Sequence, residues 1–306
     1  MSRSTVITAT TLFAAVGLAA GCSSDGATGP SETAQFSQVL SLPQFDSTVS
    51  SGPHRVEISL IPGGLTVREV DVEPDEAEER IVSEVTAIDP AQGTVTLSLG
   101  GFKVSYGAST RFRTPGKSRV SRVEWEAAIS SALDAGQKPP IEARRSQPAS
   151  PQAPTDAAFL ATDLRIADRT DDPKIEALVA DANLETIASP PPLAILRVFG
   201  LPLEINSQSH LARRIPGGIP TGAVEFQASV TSVDVAGGTM TIAGGTILRV
   251  GAGTTFDPTG DLFSLQSTAD AVGAGKAVRV EGRGTVESAG PPATIAASEV
   301  KVEVDN

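Results

Sequence analysis

The chain has 306 residues, of which 24 are basic and 36 acidic, so its formal net charge at pH 7 is −12. One cysteine and two histidines exclude an internal disulfide, a cysteine-based zinc or iron–sulfur site and a histidine-rich metal centre. The acidic balance and the 4% share of aromatic residues argue against a nucleic-acid partner, because nucleic-acid binding needs basic and stacking surfaces.

The first 21 residues have the pattern of an export signal. Residues 6–20 form an uncharged apolar run that is too short for a membrane span and fits a signal peptide. Small residues precede Cys22, which is the pattern that lipoprotein signal peptidase requires. The alternatives are an ordinary secretory signal cut near Ala20 and a cysteine buried in a core. We predict a lipoprotein signal peptide at 1–21 and a membrane anchor formed by lipidation of Cys22.

The residues after Cys22 indicate where in the cell the protein is located. Residues 23–30 are small or polar, and this composition predicts a flexible tether, to which we assign 22–52. Ser23 directly after the cysteine resembles the sorting signals of proteobacterial lipoproteins that reach the outer membrane. No later segment reaches the about 18 apolar residues that a membrane span needs. We therefore expect a lipid-anchored protein of the cell envelope, on the outer membrane and facing the periplasm or the surface.

Two segments, 80–168 and 224–304, read as copies of one plan. Each opens with an apolar run that ends in Asp, turns, and continues as GTVTL at 93–97 or GTMTI at 238–242. The alternation of polar and apolar residues puts the apolar side chains on one face of a strand. We predict a β-module of about five strands, which is the size of a small closed barrel without exposed edges.

The spacer of the first copy carries the clearest helix signal. Ser121 and Glu124 have the spacing of a capping box, Trp125 and Ile129 lie on one stripe, and Gly136 ends the pattern. We interpret Trp125, the only tryptophan, as a core residue rather than a ligand-stacking one. The second copy has a shorter equivalent around 262–272.

Two further segments resemble half-modules. HRVEISL at 54–60 opens a segment that is similar to the second half of a module, whereas NSQSHL at 206–211 stands where GASTRF stands at 107–112 in the first copy. Neither half could bury its apolar face alone. We hypothesise that the two halves close a single barrel between them, with the first full module inserted.

The predicted fold class is mainly β, with tandem small β-barrel modules of the oligonucleotide-binding type and one short α-helix in the first full module. In chain order we assign a signal peptide (1–21), a tether (22–52), a β-hairpin half-module (53–75), the first full β-module (76–169), a β half-module (170–213), a linker (214–222) and a C-terminal β-module (223–306).

These motifs resemble the bacterial "domain of unknown function 5666" family, whose members are commonly exported or lipid-anchored and carry tandem copies of such modules. The match is best at VTSVD (230–234), GTMTI (238–242), TTF (254–256) and 275–282. The resemblance implies a small barrel of the oligonucleotide-binding type and no assigned chemistry. The first copy departs from the pattern at Pro139-Pro140, which predicts that its fourth strand lies at an edge or starts late.

Motifs for chemistry are weak, and we assign no catalytic, cofactor-binding or metal-binding residue. His54 and His210 are the only histidine bases, and we interpret both as structural or exposed. Residues 273–276 resemble a fragment of a phosphate-binding loop, but Ala277 stands where Ser or Thr is needed, so a turn is the better interpretation. One acidic run could attract calcium but lacks a Gly-containing loop, and we interpret it as a solvated linker. It comprises Asp71, Glu73, Asp75, Glu76, Glu78 and Glu79.

The function expected from the sequence is that of a membrane-anchored envelope lipoprotein that is not an enzyme. It would bind, or serve as a scaffold for, a protein or glycan partner, with no nucleic acid and no cofactor. The alternative is an envelope protein that binds a small ligand or a divalent cation, and an unrecognised enzyme comes third.

Overall fold

The structure is a computed structural model that describes residues 34–73, 78–117, 119–146, 158–168, 172–187 and 193–305. Within these ranges the chain is mainly β, which confirms that prediction, with three α-helices and a large mixed sheet. Cys22 and the predicted signal peptide at 1–21 lie outside the described residues. None of the helices in the described ranges has the length and apolar character that a membrane crossing requires.

The elements fall into four stretches of the chain. The first contains β1 (Gln35–Val39), α1 (Leu42–Ser50), β2 (His54–Leu60) and β3 (Val67–Glu73). The second contains β4 (Glu78–Asp89), β5 (Thr94–Leu97), β6 (Lys103–Ser105), β7 (Arg111–Arg113), a 3₁₀ turn (Pro115–Lys117), β8 (Arg119–Val120), α2 (Arg122–Asp134), β9 (Pro140–Ser146) and β10 (Asp163–Ile166). The third contains β11 (Lys174–Val179), a 3₁₀ turn (Asp181–Asn183), β12 (Leu184–Thr186), β13 (Ala194–Val198), β14 (Leu201–Ile205) and β15 (His210–Arg214). The fourth contains β16 (Ala223–Asp234), β17 (Thr239–Ile242), β18 (Ile247–Phe256), α3 (Leu265–Gly273), β19 (Ala277–Ser288) and β20 (Thr294–Asp305).

The fourth stretch, called the C-terminal module here, closes on itself through its strand pairings. β16 pairs with β17 and β17 with β18, both antiparallel. β18 then pairs with β20 in parallel, and β20 returns through β19 to β16. The register of β16 shifts between Val230 and Ser232. A shift of this kind bends a long strand, and β16 pairs with β19 before it and mainly with β17 after it. Five strands therefore form a closed circuit, with α3 between the third and fourth of them.

The second stretch, called the first module, has the same plan. β4 pairs with β5 and with β9, and its register shifts at the matching place, between Val85 and Ala87. β7 pairs in parallel with β10, as β18 does with β20. β9 begins at Pro140 and pairs with both β4 and β10. It therefore starts late, as one alternative predicted, but it is not an edge strand.

A middle module is assembled from two distant parts of the chain, α1 to β3 and β11 to β15. β2 pairs with β11, and β3 pairs in parallel with β15. A parallel bridge also joins Thr66 to Glu204 in β14, and β12, β13 and β14 form a meander. The two halves hypothesised from the sequence thus pair with each other around the inserted first module.

One side-chain turn recurs in all three modules. In each, a hydroxyl accepts a backbone N–H from three residues earlier, at 2.9–3.0 Å. The same hydroxyl donates to a carbonyl in or beside a strand of the module's parallel pair, which is β10, β3 or β20, at 2.6–2.7 Å. The hydroxyls belong to Thr110, Ser209 and Thr254, and the carbonyls to Ala161, Val67 and Ala297, respectively. In the middle module this bond joins the two halves.

The part of the chain that the structure describes contains two hydrophobic cores. One is continuous through the first and middle modules, and includes Trp125 with no exposed surface. The ring of Trp125 lies 5.4 Å from Phe112 and 5.8 Å from Tyr106, centroid to centroid. This confirms the interpretation of Trp125 as a core residue. The second core belongs to the C-terminal module, and Phe36 of β1 contributes to it.

The prediction of a flexible tether over 22–52 is wrong for residues 34–52. β1 pairs with both β15 and β16, and α1 buries Phe45 and Val49 completely. The side chain of Gln44 accepts the backbone N–H of Ser41 at 2.8 Å and caps the start of α1. The described ranges therefore contain three α-helices where the predicted fold class specified one in the first module, although α3 matches the expected shorter equivalent.

Candidate functional site

A groove lies where the middle module meets the C-terminal module, and we call it the junction groove. Its volume is about 530 Å³, and side chains of β1, β3, β15, β16, β19 and β20 line it. β1 lies at its centre, since Ser37 is paired with both Arg214 and Glu225. The lining residues are Gln35, Ser37, Glu69, Asp71, Arg214, Glu225, Phe226, Gln227, Asp257, Glu281, Gly282, Arg283, Glu299 and Lys301.

Carboxylates outnumber cations in the junction groove. Six of the lining residues are acidic and three are basic. A concave surface with one excess sign of charge concentrates ligands of the opposite sign. The groove therefore favours a positively charged ligand.

Lys301 at one side of the groove is held between two carboxylates. Its Nζ lies 2.6 Å from Glu303 Oε1 and 3.1 Å from Glu281 Oε1. These contacts, that with Glu303 first, raise the pKa of Lys301 above its usual value. The amide of Gln227 donates to the other oxygen of Glu281 at 3.2 Å. One lysine offsets only one of these two carboxylates, so this side of the groove also keeps a net negative charge.

The edge of the groove beside β15 contains a histidine between two carboxylates. Nε2 of His210 lies 2.9 Å from Oε1 of Glu225, and His210 is paired in register with Glu69 on β3. The contact with the Glu225 carboxylate raises the pKa of His210 above its usual value, although burial opposes the shift. Burial alone would raise the pKa of Glu225, but the contacts with His210 and Arg283 outweigh it and lower that pKa.

Glu69, His210 and Glu225 each offer a ligand atom, and these three atoms lie within 4.8 Å of one another. All three residues are half-buried. Nε2 of His210 is itself buried and makes no hydrogen bond of good geometry, even though Glu225 is close. From the sequence we assigned no metal ligand and interpreted His210 as structural or exposed. Glu69 lies on β3, far in sequence from His210 and Glu225 on the consecutive strands β15 and β16, so no short motif marks the three residues.

The other histidine has an ordinary local role. His54 opens β2, and its Nε2 lies 3.2 Å from the hydroxyl of Ser51. Residues 273–276 end α3 and lead into β19, with Gly275 at φ +76°. This is a helix C-terminal turn, in agreement with the interpretation of that motif as a turn.

The acidic run divides into residues with different surroundings. Glu79 has 1% of its surface exposed and pairs with Arg145 at 2.6 Å, so its interpretation as part of a solvated linker is wrong. Glu78 is exposed and pairs with Arg144 at 3.2 Å. Asp71 lines the junction groove. Asp75 and Glu76 lie outside the described residues.

No protein-family profile, curated protein or solved structure that was compared with this chain matches it. The resemblance to the "domain of unknown function 5666" family stays a prediction. The function is therefore inferred from the residues and geometry of the chain itself.

Proposed function

We propose that this chain is a non-enzymatic lipoprotein of the cell envelope, anchored at Cys22, whose junction groove binds a basic segment of a partner protein. The observation that carries this proposal is the lining of the groove, where six acidic residues face three basic ones. Charge complementarity of this kind orients a partner and excludes partners of the wrong sign.

A protein partner fits the groove better than a glycan does. Sugar rings commonly stack on exposed aromatic faces, whereas the groove contains one aromatic residue among those that line it, Phe226. Only 3% of the surface of Phe226 is exposed. Lysine and arginine side chains instead form charge-assisted hydrogen bonds with carboxylates, and the groove offers several.

The three modules supply the scaffold in this proposal, and we infer that each is a small barrel of the oligonucleotide-binding type. The closed circuit of strand pairings in the C-terminal module and the matching pairings of the first module support this inference. Such an architecture implies no function by itself. A scaffold of this kind would hold the groove in a fixed shape above the membrane.

The anchor is tested by Cys22→Ser in cells of origin, with Ser23→Ala as the matched control that keeps the thiol. We expect the wild-type and Ser23→Ala proteins in the membrane fraction and Cys22→Ser outside it, because a diacyl chain supplies about 0.8 kcal/mol per buried methylene. Retention of Cys22→Ser in the membrane fraction would refute the lipid anchor.

The partner is tested by placing a photo-crosslinking residue at Gln35, which is exposed at the groove. The matched control carries the same residue at Val123, which is 72% exposed on α2 of the first module. We expect one defined protein adduct from position 35 and none from position 123. A glycan adduct at position 35, or the same adducts at both positions, would contradict the proposal.

A further inference from the structure

We propose that Glu69, His210 and Glu225 form a binding site for a divalent transition-metal ion of the zinc type, at the edge of the junction groove. This proposal does not depend on the partner protein proposed above. It concerns three side chains whose ligand atoms already lie within 4.8 Å of one another.

The backbone fixes the distances between the three residues. Glu69 and His210 are paired in register on neighbouring parallel strands, β3 and β15. Glu225 reaches them from β16, where it is paired with Ser37 of β1 and with Arg283 of β19. The middle and C-terminal modules therefore both contribute ligands, and the site exists only when the two modules are joined.

The donor set selects the class of metal. One imidazole nitrogen and two carboxylate oxygens suit zinc and related ions, whereas calcium and magnesium prefer oxygen ligands alone. Ligand atoms around a tetrahedral zinc ion are about 3.3 Å apart. Small rotations of three half-buried side chains would bring these atoms from their present separation to that distance. Three protein ligands leave the fourth position to water or to a ligand in the groove.

Arg283 competes with the metal for Glu225. Its Nε lies 2.8 Å from Oε1 of Glu225, the same oxygen that contacts His210. The side chain of Arg283 is 53% exposed, so it can turn further into solvent when a metal ion replaces it at Glu225. We therefore assign Arg283 the role of neutralising Glu225 when no metal is bound, and removal of Arg283 should strengthen metal binding.

The site is tested by calorimetric titration of zinc into the full chain in detergent micelles and non-chelating buffer. We expect one zinc ion per chain. Glu69→Gln, His210→Gln and Glu225→Gln should each weaken binding by about 10-fold or more, in line with losses seen when metal sites are disturbed. Calcium and magnesium should give little heat under the same conditions.

The chain offers two controls that separate this site from nonspecific binding. His54→Gln removes the other of the two histidines and should leave zinc affinity unchanged, whereas Arg283→Gln should raise it several-fold. Ring signals of the two histidines, followed by NMR during the titration, should shift for His210 alone. The last readout needs no variant, so it stays decisive if a substitution prevents folding.

Three results would overturn the proposal. The first is a wild-type chain that binds no zinc at submillimolar concentration. The second is equal loss of binding in His54→Gln and His210→Gln, and the third is a shift of the His54 signal without one of His210. Failure of the crosslinking experiment at Gln35 would leave this site untouched, because zinc binding is measured on the chain alone.

Discussion

The two joints of this molecule are built differently. The first and middle modules meet through the pairing of β4 with β11 and share one continuous hydrophobic core. Among the described residues, the backbone pairing between the middle and C-terminal modules runs through the short strand β1, and the C-terminal module keeps a separate core. Buried apolar and ionic groups fill the first joint, whereas half-exposed charged groups and a groove occupy the second.

This difference indicates that the first joint contributes to stability, whereas the second is suited to binding. At the first joint, the buried Arg55 pairs with Glu176, which also pairs with Arg80 of the neighbouring strand. Charges buried in this way are costly to expose or to leave unpaired. At the second joint the charges face a groove that solvent reaches. We infer that the first and middle modules unfold together and that the C-terminal module unfolds as its own unit.

The largest expected effect is that of Phe199→Ala at the first joint. Phe199 belongs to the middle module and packs on Phe159 of the first module at a ring-centroid distance of 5.2 Å. Truncation of a buried Phe should lower the free energy of unfolding by about 3–5 kcal/mol. Denaturant unfolding followed by Trp125 fluorescence should show this loss, although Trp125 lies in the other module. An unchanged Trp125 transition would mean that the two modules do not share a folding unit.

Arg55→Leu should come next, with a loss of about 3 kcal/mol, because it leaves the buried Glu176 with one partner fewer. The matched control is Arg249→Leu in the C-terminal module, where the pair with Glu287 at 2.9 Å is exposed. An exposed pair contributes about 0–1 kcal/mol. Thermal unfolding of both variants gives the comparison, and equal losses would show that burial does not distinguish these pairs.

The recurrent hydroxyl turn allows the modules to be compared at one position. Thr110→Val and Thr254→Val each remove the same two hydrogen bonds, with an expected cost of about 1–3 kcal/mol. Thr110 has 7% of its surface exposed, whereas Thr254 is half-buried, so the loss should be larger in the first module. Chemical denaturation of both variants measures the order, and a larger loss for Thr254→Val would contradict this account of the turn.

The smallest effects concern acid stability. Hydrogen bonds from Ser121 hold the pKa of Glu124 below its usual value, and those from Thr259 hold the pKa of Asp257 below its usual value. Each carboxylate stabilises the folded state at a pH above its pKa in the unfolded chain. This contribution is lost as the pH falls through the lower pKa of the folded state. Glu124→Gln should flatten the acid dependence of the transition seen by Trp125. Asp257→Asn should flatten the acid dependence of unfolding of the C-terminal module alone. If instead Asp257→Asn changed the transition seen by Trp125 and Glu124→Gln changed that of the C-terminal module, the result would argue against two separate folding units.

Local signals in the sequence predicted a large part of the fold. The alternation in GTVTL and GTMTI marks hairpin strands, and the capping pair Ser121 and Glu124 marks the start of α2, where Ser121 accepts the N–H of Glu124 at 3.2 Å. These features depend on residues within a few positions of one another. The pairing of the two half-modules was inferred because each half alone leaves an apolar face uncovered.

Features that depend on distant partners were missed. β1 is short, three of its five residues are polar without regular alternation, and its partners β15 and β16 lie far along the chain. The start of α1 does carry a signal, Ser41 followed by Gln44, that sequence analysis could have used. The candidate metal ligands come from β3, β15 and β16. Glu69, His210 and Glu225 come together because β3 pairs with β15, and β1 pairs with both β15 and β16.

The most direct measurement uses Ile295→Ala, since Ile295 lies fully buried in the core of the C-terminal module. Truncation should cost about 2–5 kcal/mol. Denaturant unfolding is followed by Trp125 fluorescence, which reports on the first and middle modules, and by circular dichroism, which reports on the whole chain. We predict two separate transitions. Ile295→Ala should lower the denaturant midpoint only of the transition that Trp125 fluorescence does not detect. A single coincident transition that the variant shifts equally for both probes would contradict the separation of the two units.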